Sequence, residues 1–82
     1  LSADPALTRA LFEALAPEPQ GIALARLCKR LGVRMSVLLR TLAWLGDANL
    51  DGHPGPGWIR VEMRGEREVA VLTAAGRAQL PH

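Results

Sequence analysis

Apolar residues recur along this chain at two different periods, and the change of period divides it. Leu7, Leu11 and Leu15 recur every four residues, with Phe12 and Ala14 beside them. That spacing places one apolar stripe on a helix of about three turns. Asp4-Pro5 suits its start, because Asp caps and Pro fits the first helical position. Pro17 and Pro19 stop it, which predicts a first helix over 5–16 and a loop over 17–21. Gly21-Ile22-Ala23 is too short to assign from pattern and could add a small strand beside a later ribbon. Leu24, Leu27, Cys28 and Leu31 then mark one face of a second helix over 24–31. Arg26, Lys29 and Arg30 lie toward solvent, and Gly32 is a helix stop. Ala23 stands where a capping side chain is expected.

A third helix is predicted over 35–48. Leu38, Leu42 and Leu45 form its core stripe; Ser36, Arg40, Ala43 and Asp47 lie opposite, with Leu39 on one shoulder and Val37 with Trp44 on the other. Asn49 suits its end, after which Leu50 is expected to return to the core. Residues 51–57 (DGHPGPG) read as irregular, since their Pro and Gly content excludes a central strand. From Trp58 the period falls to two. Ile59, Val61 and Met63 alternate with Arg60 and Glu62, and Val69 and Val71 alternate again, predicting a hairpin of 58–63 with 68–72. A two-residue tip at Gly65-Glu66 would set Val61 opposite Ala70. A register shifted by one sets Val61 opposite Val71, Met63 opposite Val69 and Arg64 opposite Glu68. It keeps one face apolar and is the expected one. Thr73 caps a last helix over 74–80, stopped by Pro81. The fold class is mainly α with a small β-hairpin (α+β), in a single domain over 1–82.

Composition narrows the functional classes. With 49% hydrophobic residues the chain is globular. With only Phe12, Trp44 and Trp58 as aromatics, the core must be mostly Leu, Val and Ala. No apolar run approaches the roughly 20 residues of a membrane span. A lone cysteine, Cys28, forms no internal disulfide, which suits a cytoplasmic setting. The net charge is +2, and every basic residue but Lys29 is Arg. Arg suits bidentate contacts to phosphate and guanine; GC-rich coding gives the same bias. His53 sits in a Pro/Gly loop and His82 is the last residue. No His, Cys or carboxylate set has metal-ligand spacing, and Pro54-Gly55-Pro56-Gly57 opens no helix that would cradle phosphate. Cys28 falls on a buried stripe, as a small apolar filler rather than a nucleophile. The expectation is a protein that is not an enzyme and uses no cofactor or metal.

Three blocks carry a family resemblance. Leu27-Cys28-Lys29-Arg30-Leu31-Gly32-Val33 is similar to a second helix and turn written L-A-x-x-L-G-V. Ser36 to Leu50 resembles a recognition helix and the residues after it. Leu72-Thr73-Ala74-Ala75-Gly76-Arg77-Ala78 resembles an L-T-x-x-G-R-A segment that follows a wing. Together, spanning 24–78, they resemble winged helix-turn-helix proteins, particularly MarR-type transcriptional regulators. The resemblance implies a three-helix core, a wing and a short C-terminal helix. It also implies double-stranded DNA as partner, with the third helix in the major groove. Arg34, Ser36, Val37, Leu39 and Arg40 would then face DNA, with Arg40 reading guanine. Ser36 would bond phosphate or base, or cap its helix. Val37 and Leu39 would touch thymine methyls, or pack on protein; the family often has Thr or Ser there. Arg64 and Arg67 at the wing tip would approach backbone or minor groove, or neutralise neighbouring Glu residues. Lys29 and Arg30 would reach phosphates, or form a solvated face.

The rival expectation is a protein-interaction module using the apolar outward surface of the third helix. Trp44 and Trp58 are its candidate interface residues; exposed together with Leu39 they would form an apolar patch for a homodimer or another protein partner, unless the first helix, loop 51–57 or the ribbon covers the two tryptophans. RNA recognition by stacking is disfavoured, as there is no Tyr and no aromatic on an alternating sheet surface with basic neighbours.

Overall fold

The computed structural model describes residues 4–46, 49–50 and 53–81. Helix α1 (Pro5–Leu15) opens as its sequence dictates. The Asp4 carboxylate accepts from the Ala6 amide at 2.9 Å, and Pro5 fills the first turn. Its buried face is Leu11, Ala14 and Leu15. Strand β1 (Ile22–Ala23) leads directly into helix α2 (Leu24–Leu31), which begins without a side-chain cap and ends on Gly32 in the left-handed region. Leu24 and Leu27 are buried, while Cys28 and Leu31 pack on the margin of the core.

Helix α3 (Met35–Leu45) buries Leu38, Thr41, Leu42 and Leu45. Thr41 satisfies its buried hydroxyl by donating to the Val37 carbonyl at 2.9 Å. The helix ends at Leu45, short of the predicted limit; residues 47–48 lie outside the described residues. Its last carbonyls have other donors. Leu45 and Gly46 accept from the Trp58 and Gly57 amides at 2.8 and 2.9 Å, so the orphan acceptors of the helix end are used to anchor the chain entering the sheet. Asn49, expected at a helix end, instead belongs to strand β2 (Asn49–Leu50), antiparallel to β3 (His53–Pro54). The stretch read as irregular therefore holds a two-residue ladder, too short to need a full set of strand donors, so its proline is tolerated. Where the Leu50 side chain goes lies outside the described residues.

Strands β4 (Ile59–Arg64) and β5 (Arg67–Leu72) form the hairpin, and β1 pairs with the other edge of β5, giving the antiparallel order β1-β5-β4. The short segment 21–23 thus adds the third strand. The expected register is overturned. Val61 faces Ala70, Glu62 faces Val69 and Arg64 faces Arg67, with Gly65 at φ 63° in a two-residue tip, as primed turns require. The reason is that β5 is central and buried on both faces. Ala70 and Leu72 join the helices in the core with Ile22 and Ile59. Val69 and Val71 are buried on the opposite face, where Arg60 and Glu62 are their cross-strand neighbours and the Gly21 backbone closes over both.

Helix α4 (Ala74–Arg77) is shorter than predicted, the chain continuing through 78–80 in turns. The Thr73 hydroxyl accepts from the Gly76 amide at 3.1 Å and donates to the Gly57 carbonyl at 2.6 Å. Arg77 reaches the Ala16 carbonyl at 3.2 Å, a cation at the negative end of α1. Among the described residues the result is an α+β fold of four helices, a three-stranded antiparallel sheet and the short β2-β3 pair. No helix among the described residues is long and apolar enough to cross a membrane.

Candidate nucleic-acid interface

Burial of Leu24 and Leu27 turns the opposite side of α2 outward. Arg26, Lys29 and Arg30, at helical spacings of three and four, share that side and are exposed. Lys29 and Arg30 also lie in the last turn, where the helix dipole favours cations. Between this face and the hairpin tip runs a groove of about 860 Å³, lined by Arg26 and Lys29 of α2, Arg64 and Arg67 of the hairpin, and the methionines Met35 and Met63. Glu66 and Glu68 are also on its wall, so cations outnumber carboxylates. The structure thus brings Lys29, Arg64 and Arg67 together from two distant parts of the sequence. Arg30 and the residues of α3 beyond Met35 are outside the groove lining.

Three residues of the lining, Arg26, Met35 and Met63, are not among the sites named from sequence. Arg26 was legible, through its spacing from Lys29 and Arg30. Met35 and Met63 were not, because the core stripe and the strand alternation both assign them inward. Met63 is 63% exposed, although it stands on the same sheet face as the buried Ile59.

The hairpin cations differ in availability. The Arg64 guanidinium turns back onto the protein. It donates to the Gln20 carbonyl and, at 3.0 Å, to Glu62. Arg60 meets the other Glu62 oxygen at 3.1 Å. The Arg64 guanidinium first, and Arg60 second, hold the Glu62 carboxyl below its ordinary value. Arg67, opposite Arg64, is exposed and makes no ion pair among the described residues.

Helix α3 begins beside this groove at Met35. Arg34 precedes it in extended conformation, and the first turn contains no acidic residue. The positive end of the helix is therefore electrostatically open to an anion. Arg34, Ser36, Val37, Leu39 and Arg40 are all exposed. Ser36 lies inside the helix, whose N-cap is Arg34 with no side-chain cap bond; it is not the cap. Ser36 and Arg40, four apart, form one outward strip. Val37 and Leu39 border it and are 41% and 45% exposed, so neither is taken up by packing on the protein.

Trp44 and Trp58 lie elsewhere. Both are half-buried and line a second groove with Phe12 and Leu80, away from Leu39. The apolar patch expected from Leu39, Trp44 and Trp58 together is therefore two separate features. Comparison of the chain with family models, with curated proteins and with solved structures returned no match.

Proposed function

We propose that this chain is a winged helix-turn-helix domain that binds double-stranded DNA, as a small transcriptional regulator or the DNA-binding part of one. The order α1, β1, α2, α3, hairpin, with β1 on the far edge of β5, supports the fold assignment. So do the structural tasks of Thr73, Gly76 and Arg77 in the segment that resembles the residues after a wing. One observation carries the function. Cations from α2 and from the hairpin tip converge on a groove that begins at the first residue of α3. That arrangement lets α3 enter the major groove while Arg26, Lys29 and Arg67 meet phosphates on either side. Arg40, central on the outward strip, is the candidate for guanine.

Titration with random-sequence duplex DNA over a range of salt tests this. With three or four phosphates neutralised, log K should fall against log salt with a slope of about −3. Arg67→Ala should reduce that slope by about one on every sequence. Salt-independent binding, or none at low salt, would sink the proposal.

Exposure of Met35, Val37 and Leu39 favours a second reading, a protein-docking module using the same side of α3. An absence of salt-dependent DNA binding would favour it.

A further inference from the structure

We infer that Cys28 and Met35 together hold a soft monovalent metal ion, copper(I). Cys28 stands near the end of α2, and Met35 is the first residue of α3. The two are seven apart in sequence, yet the Cys28 Sγ donates toward the Met35 Sδ at 3.9 Å. The turn fixes the residue that carries the thiol, because the Gly32 and Val33 amides both donate to the Cys28 carbonyl. Cys28 packs only on the margin of the core, and Met35 is 40% exposed, so the pair is open to an ion from solvent. A first-row ion bonds sulfur at about 2.3 Å, and two sulfurs 3.9 Å apart then subtend about 116° at the ion. Both donors therefore reach one ion without moving apart or together. Spacing of His, Cys and carboxylates does not reveal the pair, because its second donor is a thioether.

Ligand softness and charge select the ion. Thiolate and thioether favour copper(I) over harder divalent ions. Neither α2 nor α3 contains a carboxylate, Lys29 and Arg30 adjoin Cys28, and Arg34 precedes Met35. Glu66 and Glu68 on the adjoining groove wall are outnumbered by Arg26, Lys29, Arg64 and Arg67. No group of three or more His, Cys, Asp or Glu that could hold a metal occurs among the described residues, as a structural zinc site would need. A monovalent ion takes the place of the thiol proton. The S–H bond breaks, the proton leaves to solvent, an S–Cu bond forms, and no electron is transferred. The charge of the pair is unchanged, so the surrounding cations do not oppose the exchange. A divalent ion would add a positive charge among them. The bound ion ties α2 to α3 across the turn 31–34, so it stabilises the folded chain. Coordination by this pair does not depend on nucleic-acid binding.

Anaerobic titration of the reduced 82-residue chain with copper(I), bicinchoninate serving as the competing chelator, tests the inference, with circular dichroism confirming that each variant is folded. The wild type should withdraw one ion per chain from the chelator. Copper(I), or silver(I) as its redox-inert counterpart, should raise the melting temperature, while zinc(II) should not. Cys28→Ser should abolish the withdrawal. Met35→Leu, a volume-conserving change at an exposed position, should weaken it about tenfold or more, since a ligand matters at least as much as the outer-shell groups that support one. This variant is decisive because it leaves the thiol in place. A wild type that withdraws no ion overturns the inference. So does Met35→Leu binding as tightly as wild type, which would make the thiol alone the site. Zinc(II) raising the melting temperature as much as copper(I) overturns the choice of ion.

Discussion

A Cβ on Gly21 would lie 2.4 Å from the Ala70 carbonyl oxygen and 2.7 Å from methyls of both Val69 and Val71, at a φ of +84°. Gly32 has a comparable φ of +67° but open space around it. The two glycines therefore separate backbone strain from packing. Gly32→Ala should cost about 1 kcal/mol, the left-handed penalty alone. Gly21→Ala adds overpacking against the sheet and should cost about 2–4 kcal/mol, lowering the melting temperature by roughly 10 °C or more. Equal losses in thermal denaturation would show that the loop moves aside. At this scale legibility follows sequence distance. The Asp4 cap, the Gly32 stop and the Thr73 cap act on neighbours within a few residues, and the sequence reading finds all three. The constraint on Gly21 comes from β5, far along the chain, so no local pattern announces it. Gly76 is the same case: its missing Cβ leaves room for the Trp58 carbonyl.

The hairpin illustrates how an element can be found while its register is missed. Period-two alternation locates both strands and assigns Val69 and Val71 to one apolar face with Val61 and Met63. That inference assumes one wet face. The pairing of β1 with β5 makes β5 central, and the outward valines are sheltered by their neighbours Arg60 and Glu62 and by loop 17–21. The register puts Arg60, Glu62 and Arg64 on one face, linked through Glu62. Like charges at Arg64 and Arg67 are opposed across the tip, and turning Arg64 toward Glu62 and Gln20 relieves this. Arg64 is thus a brace for the tip, and its loss should be pH-dependent. The Glu62 carboxyl is held below 4.5 by Arg64 foremost. Its contribution is full above 4.5 and is lost as pH falls through the lower folded value. Arg64→Ala should destabilise the chain at neutral pH, and the difference from wild type should shrink on acidification through that window. Arg67→Ala should leave stability unchanged. A constant Arg64→Ala deficit across acid and neutral denaturation would mean that the Gln20 contact alone supplies the brace.

At the scale of the whole molecule, the two grooves share no lining residue. One lies between α2 and the hairpin tip and carries cations. The other lies between α1 and the C-terminal turn and carries the aromatics. The sequence reading names most of both sets but cannot sort them, because Trp44 and Leu39 are only five residues apart on α3. At 100° per residue they stand about 140° apart around it, and only tertiary packing shows that they look onto different surfaces. The separation has a functional consequence. If the cationic groove alone meets DNA, Arg67→Ala should weaken binding to every duplex and reduce the salt slope by about one. Trp44→Ala, in the other groove, should leave both the affinity and the salt slope of the wild type unchanged. If Trp44→Ala, in a chain that circular dichroism shows to be folded, weakens binding to duplex DNA, the aromatic groove itself contacts DNA, and the division of labour between the two grooves is wrong.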